Sequence, residues 1–238
     1  MNDPNNIIIN HYSKGKLYEL IIEAIKNAGI DLNNLKVEDL KSVDEFHIGG
    51  IQATLDLLDQ LKIKPETKIL DIGSGIGGLV RLISTHYEAN VTGIDITPEF
   101  VETAIKINDL LGLNIKFQIG DALNIPFDKN EFDLVTLLHV GMNIPDKNKL
   151  FSEASRVLNK GGSFAIYDVM IVAEGDFKFP VPWASTPIAS FVENPNNYID
   201  AANASGFTLI SKRIRKEFAL EFFNNLRKKV EKSGPPPV

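Results

Sequence analysis

Thr67-Lys68-Ile69-Leu70-Asp71-Ile72-Gly73-Ser74-Gly75-Ile76-Gly77-Gly78 is an apolar run that reaches a carboxylate and breaks into a glycine-rich turn. Leu79, Val80, Leu82 and Ile83 then recur at the spacing of one helix face. Strand, glycine turn and helix in that order form a nucleotide-binding corner. Glycines take positive φ and let a ligand touch the main chain with no Cβ in the way, and the helix start adds unpaired N–H groups. Gly73, Gly75 and Gly78 fit G-x-G-x-x-G, the dinucleotide fingerprint. Asp71 pulls the other way. A pyrophosphate wants a helix N-terminus and no nearby carboxylate, whereas a carboxylate at the strand end suits a cationic ligand.

Outward from this corner the chain alternates strand and helix, the mark of a doubly wound, mostly parallel sheet of Rossmann-like α/β type. The pattern predicts strands at Lys68–Asp71, Asn90–Asp95, Ile115–Ile119, Asp133–Leu138 and Ser163–Asp168. Thr97 is placed to cap the helix after strand two, with Pro98 at its first position, Glu99 favourable to its dipole and Gly112 at its end. Asp146 caps a helix that carries Leu150, Phe151, Ala154, Val157 and Leu158 and stops at Gly161-Gly162. Residues 174–195 hold four prolines and Trp183, a long loop fit to cover a pocket. Phe207–Ile214 reads as a sixth strand. Lys216–Lys232 reads as a helix with Phe218, Phe222 and Leu226 inward.

Upstream, residues 1–65 read as an N-terminal helical cap on the domain formed by 66–238. Leu17 to Ala28 is amphipathic, with Gly29 as a stop, and His11 and Tyr12 precede it. Residues 30–43 are a polar connector with one turn of helix at Val37–Leu40. Ile51, Leu55, Leu58 and Leu61 make a further amphipathic helix, closed by Pro65.

The 238 residues carry a formal net charge of -6, which disfavours a broad nucleic-acid or anionic-membrane surface. There are no cysteines, so disulfides and thiolate metal sites are excluded, and no metal is expected. No apolar run approaches the roughly 20 residues of a membrane span, and the first residues do not read as a signal peptide. A soluble cytoplasmic protein is expected. A homodimer is left open. The basic residues at 212–229 are interspersed with Glu217 and Glu221 and read as solvated faces.

In such a sheet ligands bind beyond the carboxyl ends of the strands. Asp71, Asp95, Asp121 and His139 all fall at predicted strand ends. The surrounding motifs resemble the class I S-adenosylmethionine (SAM)-dependent methyltransferases. They are Ile69-Leu70-Asp71-Ile72-Gly73-Ser74-Gly75-Ile76-Gly77, Val91-Thr92-Gly93-Ile94-Asp95-Ile96-Thr97, Gly120-Asp121-Ala122 with Ile125-Pro126-Phe127, Phe132-Asp133-Leu134-Val135, and Arg156-Val157-Leu158 with Gly161-Gly162. Within that class the chain is most similar to the small-molecule group that includes ubiquinone/menaquinone and sarcosine/dimethylglycine methyltransferases.

For that cofactor, Asp71 is assigned to the methionine ammonium, directly or through water. Asp95 is assigned to the two ribose hydroxyls, which match two carboxylate oxygens, and Asp121 to the adenine amino group. The resemblance implies further cofactor contacts from Gly73, Ser74, Gly75, Ile96, Ala122 and Leu123. It also implies that the N-terminal helices cap the cofactor, with Tyr12 and His47 near it. His139, beside the expected sulfonium position, is the candidate base for an acceptor amine or hydroxyl; a plain contact role stays open. His47, Asn143 and Trp183 are candidate substrate residues.

Two features depart from the resembled group. Leu138-His139-Val140-Gly141-Met142-Asn143 differs from the dimethylglycine enzymes, so their substrate is not carried over. The group's sheet also has a last antiparallel strand between strands five and six. Here Gly234-Pro235-Pro236-Pro237-Val238 stands where similar proteins continue into an apolar segment. The sixth strand would then lack a neighbour unless another segment fills the slot. The expected function is methyl transfer from SAM to a nitrogen or oxygen of a small-molecule acceptor. Alternatives are an NAD-dependent oxidoreductase, for which no catalytic Tyr/Lys pair or second domain is evident, and a SAM-binding protein without chemistry.

Overall fold

The computed structural model describes residues 4–13, 15–44, 47–173, 175 and 177–233. Glu45, Phe46 and the Gly234–Val238 tail lie outside the described residues. The helical cap comprises α1 (Pro4–Tyr12), α2 (Leu17–Asn27), α3 (Lys41–Asp44) and α4 (Gly50–Leu58). The chain then alternates through β1 (Lys68–Ile72), α5 (Gly78–His86), β2 (Asn90–Asp95), α6 (Pro98–Leu111), β3 (Lys116–Ile119), β4 (Phe132–Leu138), α7 (Lys147–Val157) and β5 (Leu158–Tyr167). It closes with α8 (Pro195–Ala204) and α9 (Lys216–Ser233).

The five strands pair in parallel in the order β3-β2-β1-β4-β5. The chain enters at β1, works outward to β3, then returns to lay β4 on the other side of β1. Strand order therefore reverses between β1 and β4, and a crevice opens beyond their carboxyl ends. Successive residues of the central strands face opposite layers. Leu70, Ile72, Val135 and Leu137 pack with Leu150, Ala154 and Val157 of α7. Ile69, Val91 and Leu134 pack with Val80 and Ile83 of α5 and Val101 and Ala104 of α6.

The cap is fastened to this frame at three places. Ile21 and Ile25 of α2 pack with Leu40, Val43 and Ile107 of α6. The Glu99 carboxylate accepts N–H groups of Gly15 at 3.0 Å and Leu17 at 2.9 Å, tying the start of α2 to the first turn of α6. Arg81, fully buried in α5, pairs with Asp44 of α3 and reaches Asn108 Oδ1 at 3.4 Å.

Several expectations are corrected. Phe207–Ile214 is not a strand; it runs unpaired, with Leu209 51% and Ile210 89% exposed. An extended apolar segment becomes a strand only where a ladder partner lies alongside, and none does here among the described residues. The sheet is accordingly parallel throughout. His11 and Tyr12 do not precede the first helix; they end α1, an element that the unpatterned first residues did not announce. β5 begins at Leu158 and runs through Gly161-Gly162, because α7 passes straight into the strand. Thr97 sits at the N-cap of α6 without a capping side-chain bond; Asp95 accepts its N–H instead. Only the start of α9 packs closely: Phe218 lies against Gly49 and Arg215 pairs with Asp56 at 2.6 Å, while Leu226 is exposed.

Candidate active site

The crevice between β1 and β4 gathers the site. Asp71 is buried and accepts a hydrogen bond from Thr136 Oγ1 at 2.7 Å. Burial pushes its carboxyl up to about 7, with the Thr136 hydroxyl opposing and negative Asp95 adding to the rise. No cation pairs with it among the described residues.

Asp95 closes β2. Its Oδ2 accepts the Gly75 N–H at 2.9 Å and its Oδ1 the Thr97 N–H at 2.8 Å. Burial raises its pKa and these backbone donors oppose the rise. The Ile96 N–H and the Thr97 hydroxyl add to these contacts. Gly75 takes φ +54°, yet a Cβ added there would meet no protein atom within 4 Å. Backbone conformation, not internal crowding, demands glycine at this position, and the turn keeps a face clear for a ligand. The buried Ser74 hydroxyl has no partner.

Asp121 follows β3. Its Oδ1 accepts the Leu123 N–H at 2.8 Å and its Oδ2 the Asn5 amide of α1 at 3.1 Å. Ala122 and Leu123 pack against the core beneath, and Ile96 joins the apolar cluster under the lid.

His139 directly follows β4 with φ +53°, an uncommon conformation for a residue with a Cβ. The Tyr167 carbonyl accepts its N–H at 2.7 Å. Its ring stacks on His47, with centroids 5.5 Å apart, and meets the Tyr167 ring edge-on at 4.9 Å. Nε2 is buried without a partner. Burial and the neighbouring His47 hold its pKa down at about 3, so the ring is uncharged at neutral pH. His47 Nε2 bonds with Thr54 Oγ1 at 2.9 Å, and the Ile48 carbonyl accepts the Tyr167 hydroxyl at 3.1 Å.

Helix α1 and the loop after β5 lie over this crevice. Ile8 packs with Met142, Trp183, Ala184 and Ala189. His11 bonds Ser185 Oγ at 3.0 Å and the Pro182 carbonyl at 3.2 Å. The Tyr12 hydroxyl donates to Asn143 Oδ1 at 3.0 Å. Burial first, then the charges of Asp95 and Asp168, push the Tyr12 phenol well above its ordinary range. Trp183 is buried and donates its indole N–H to Ser190 Oγ at 3.0 Å.

The structure thus brings Asp71, Asp95, His139, His47, Tyr12, Asn143 and Trp183 to one end of the sheet, with Asp121 at the margin under Asn5. Sequence reasoning passed over Asp168. It follows β5, accepts the Tyr198 hydroxyl at 2.7 Å and the Val169 N–H at 2.8 Å, and is pushed up to about 6 by burial. The rule that found the other three aspartates, a carboxylate at a strand's carboxyl end, also marks this one. Among the described residues no group of three or more potential ligands could hold a metal ion, and no helix is long and apolar enough to cross a membrane.

A family model described as "Methyltransferase domain" matches residues 63–219, which span all five strands. Among curated proteins, 24-methylenesterol C-methyltransferase 3 of Arabidopsis thaliana is 37% identical over 113 residues, covering 47% of this chain and 32% of its own length. Phosphoethanolamine N-methyltransferase 2 of Caenorhabditis elegans is 32% identical over 185 residues, covering 76% of this chain and 41% of its own length. The chain spans about a third to two-fifths of the length of these relatives. Among solved structures, Haemonchus contortus phosphoethanolamine N-methyltransferase 2 in complex with SAM superposes with a TM-score of 0.72 at 22% identity, covering 83% of this chain and 48% of that one. The cyclase SpnF superposes with a TM-score of 0.63 at 17% identity, covering 94% of this chain and 84% of that one. With the glycine turn, the strand order and the family model falling on the same stretch, the chain belongs to the class I SAM-dependent methyltransferase domains.

Proposed function

We propose that this protein transfers a methyl group from SAM to a nitrogen or oxygen of a small-molecule acceptor, with residues 1–65 serving as a cap on the cofactor-binding domain of 66–238. The observation that carries the reading is a pair of buried carboxylates, Asp71 and Asp95, beside a glycine turn open at Gly75, with no cation paired to either carboxylate among the described residues. The buried Asp71 carboxyl behind the turn is an awkward neighbour for a pyrophosphate, which weighs against the NAD reading. Ser74 adds an unpartnered buried hydroxyl to the same turn.

Asp71 would hold the ammonium, Asp95 the ribose hydroxyls, and the Asp121–Leu123 turn the adenine edge. When bound, SAM supplies an electrophilic methyl group on a sulfonium. The chain's own part is alignment, exclusion of water and disposal of one proton. His139 is the candidate for the last task. Its unpaired Nε2 lies buried at the end of β4; held down at about 3 the free ring is a weak base, so it would take the proton that an acceptor N–H or O–H loses, as the new bond to carbon forms, only once the bound acceptor has raised its basicity. His47 stacks on the His139 ring as a wall on the acceptor side, and Trp183, packed with Ile8 and Met142, is the second candidate for the acceptor's surroundings. The acidic chain and its lid favour a small acceptor over nucleic acid.

Calorimetry with SAM and with NADH is the first test: SAM should bind and NADH should not. A panel of amines, phenols and carboxylates, read as S-adenosylhomocysteine release, then looks for the acceptor. Binding of NADH in place of SAM would overturn the assignment. A second reading is SAM binding without methyl transfer, which the weakly basic His139 ring would suit. SAM affinity with no turnover on any acceptor would favour it.

A further inference from the structure

Asn143 spends its whole side chain on other parts of the protein. It is 6% exposed, in the short 3-10 turn Gly141–Asn143 that follows β4. Its Nδ2 donates to the carbonyls of Trp183 at 2.9 Å and Ala189 at 3.2 Å, and its Oδ1 accepts the Tyr12 hydroxyl at 3.0 Å. Two donors and one acceptor on a short planar group are what a primary amide offers. Aspartate would keep the acceptor and lose both donors. An apolar residue would leave two carbonyls and a hydroxyl buried and unsatisfied.

The turn beneath Asn143 is held from the far side. Asp168 accepts the Tyr198 hydroxyl and the Met142 N–H. Gly141 passes so close that an added Cβ would lie 2.2 Å from Asp168 Oδ2. Lys147 Nζ donates to the carbonyls of Ile144 at 2.7 Å and Phe191 at 2.9 Å, and the Phe191 N–H reaches the Met142 carbonyl at 2.7 Å. The amide therefore projects from a rigid post on the sheet. Its three partners come from two segments far apart in sequence, α1 and the 183–189 stretch of the loop.

We propose that Asn143 is a positioning residue that couples α1 and the loop into one lid, so that neither opens alone. Tyr12 is the contact through which α1 reaches Asn143, beside the direct bonds of His11 to Pro182 and Ser185. Closing the lid seats Tyr12 within the electrostatic reach of Asp95, over the site assigned to SAM. The coupling itself rests on the hydrogen bonds; only the place of the ligand beneath it rests on the proposed function.

Trp183, the single tryptophan, sits on the loop and reports it without a label. Tyr12→Phe removes a hydroxyl from α1 and keeps the ring beside Phe100. Acrylamide quenching of Trp183, measured without ligand, should rise about two- to fivefold in Tyr12→Phe, the effect of one lost hydrogen bond on a closing equilibrium. Asn143→Leu, which removes all three bonds, should raise it at least as far, and Tyr12→Phe added to Asn143→Leu should raise it no further. Dissociation of S-adenosylhomocysteine, followed by Trp183 fluorescence in stopped flow, should quicken about three- to tenfold in each single variant, with no further gain in the double. Wild-type quenching in Tyr12→Phe, or effects that simply multiply in the double variant, would overturn the coupling. Should an Asn143 variant fail to fold, Tyr12→Phe alone still decides through Trp183. A wild-type protein that binds no S-adenosylhomocysteine would sink the cofactor assignment, and the ligand-free quenching would still judge the coupling.

Discussion

Asp71 makes cofactor binding depend on pH, with a sign and size that follow from its surroundings. Its carboxyl is pushed up to about 7 because it is buried beside Thr136 and Asp95 with no cation near. Its folded pKa lies above the unfolded value near 3.8, so its contribution to the stability of the free protein is full below pH 3.8 and is lost as pH rises through about 7. A ligand ammonium beside it reverses the balance by favouring the ionised form. At pH 8 the carboxylate is already ionised and binding costs no proton. At pH 6 about one proton leaves for each SAM bound, and affinity falls about tenfold for each pH unit below 7. The loss is about 100-fold by pH 5, or about 2.7 kcal/mol. Calorimetry from pH 5 to 8.5, in paired buffers of different ionisation enthalpy, gives both the affinity and the proton count. Asp71→Asn should bind SAM more weakly at pH 8 and lose this share of the slope. Titration of the ligand's own amino group is common to both proteins and cancels in the comparison. Equal slopes and equal proton release in wild type and Asp71→Asn would refute the placing of the ammonium at Asp71.

Asp95→Ala should weaken SAM by about 1–3 kcal/mol through lost ribose hydrogen bonds, and it also frees the N–H groups of Gly75 and Thr97. Unchanged affinity in a calorimetric titration would remove Asp95 from the ribose. His139 has a folded pKa near 3 against 6.5 unfolded, so the protein should lose stability as pH falls from about 6.5 toward 3. His139→Gln should flatten that share of the loss in urea melts, and an acceptor assay should show no acid limb at pH 6.5 that vanishes with His139. Asp44→Ala should cost about 3–5 kcal/mol in urea unfolding, because the fully buried Arg81 guanidinium would keep, among the described residues, only the Asn108 contact; a loss under about 1 kcal/mol would mean that Arg81 is compensated elsewhere.

The sheet was legible because its signals are local. Asp71 and the three glycines announce the first βα corner, and Gly112 and Asp146 act at helix ends as their residue types predict. The shared position of Asp71, Asp95, Asp121 and His139 at one edge of the sheet was legible for the same reason, since topology alone brings consecutive strand ends together. The misses come from interactions that no window of sequence contains. Helix α1 owes its place to the loop 170 residues onward, through His11 on Pro182 and Ser185. Phe207–Ile214 has the composition of a strand and lacks the neighbour that would make it one. Gly161-Gly162 stop helices in general, yet here β4 offers a ladder to Ser163 and the residues after it, and the strand runs through them.

The four aspartates at strand ends show where residue identity runs out and environment takes over. Each has the same side chain in the same kind of position. Asp95 is gripped by the N–H groups of Gly75, Ile96 and Thr97 and by the Thr97 hydroxyl, which fix the direction of its carboxylate. Asp71 has only a neutral hydroxyl for company and rises to about 7, so an incoming cation gains most there. Asp121 is shared with Asn5 at the rim, where the start of α1 can exchange its contact for a ligand's. Asp168 is bound to a tyrosine and the turn after β4, with its oxygens turned to the protein. Counting carboxylates at the sheet edge would therefore assign four ligand contacts. Following their partners leaves three as proposed contacts, and makes the fourth the support on which Asn143, and through it Tyr12, is held.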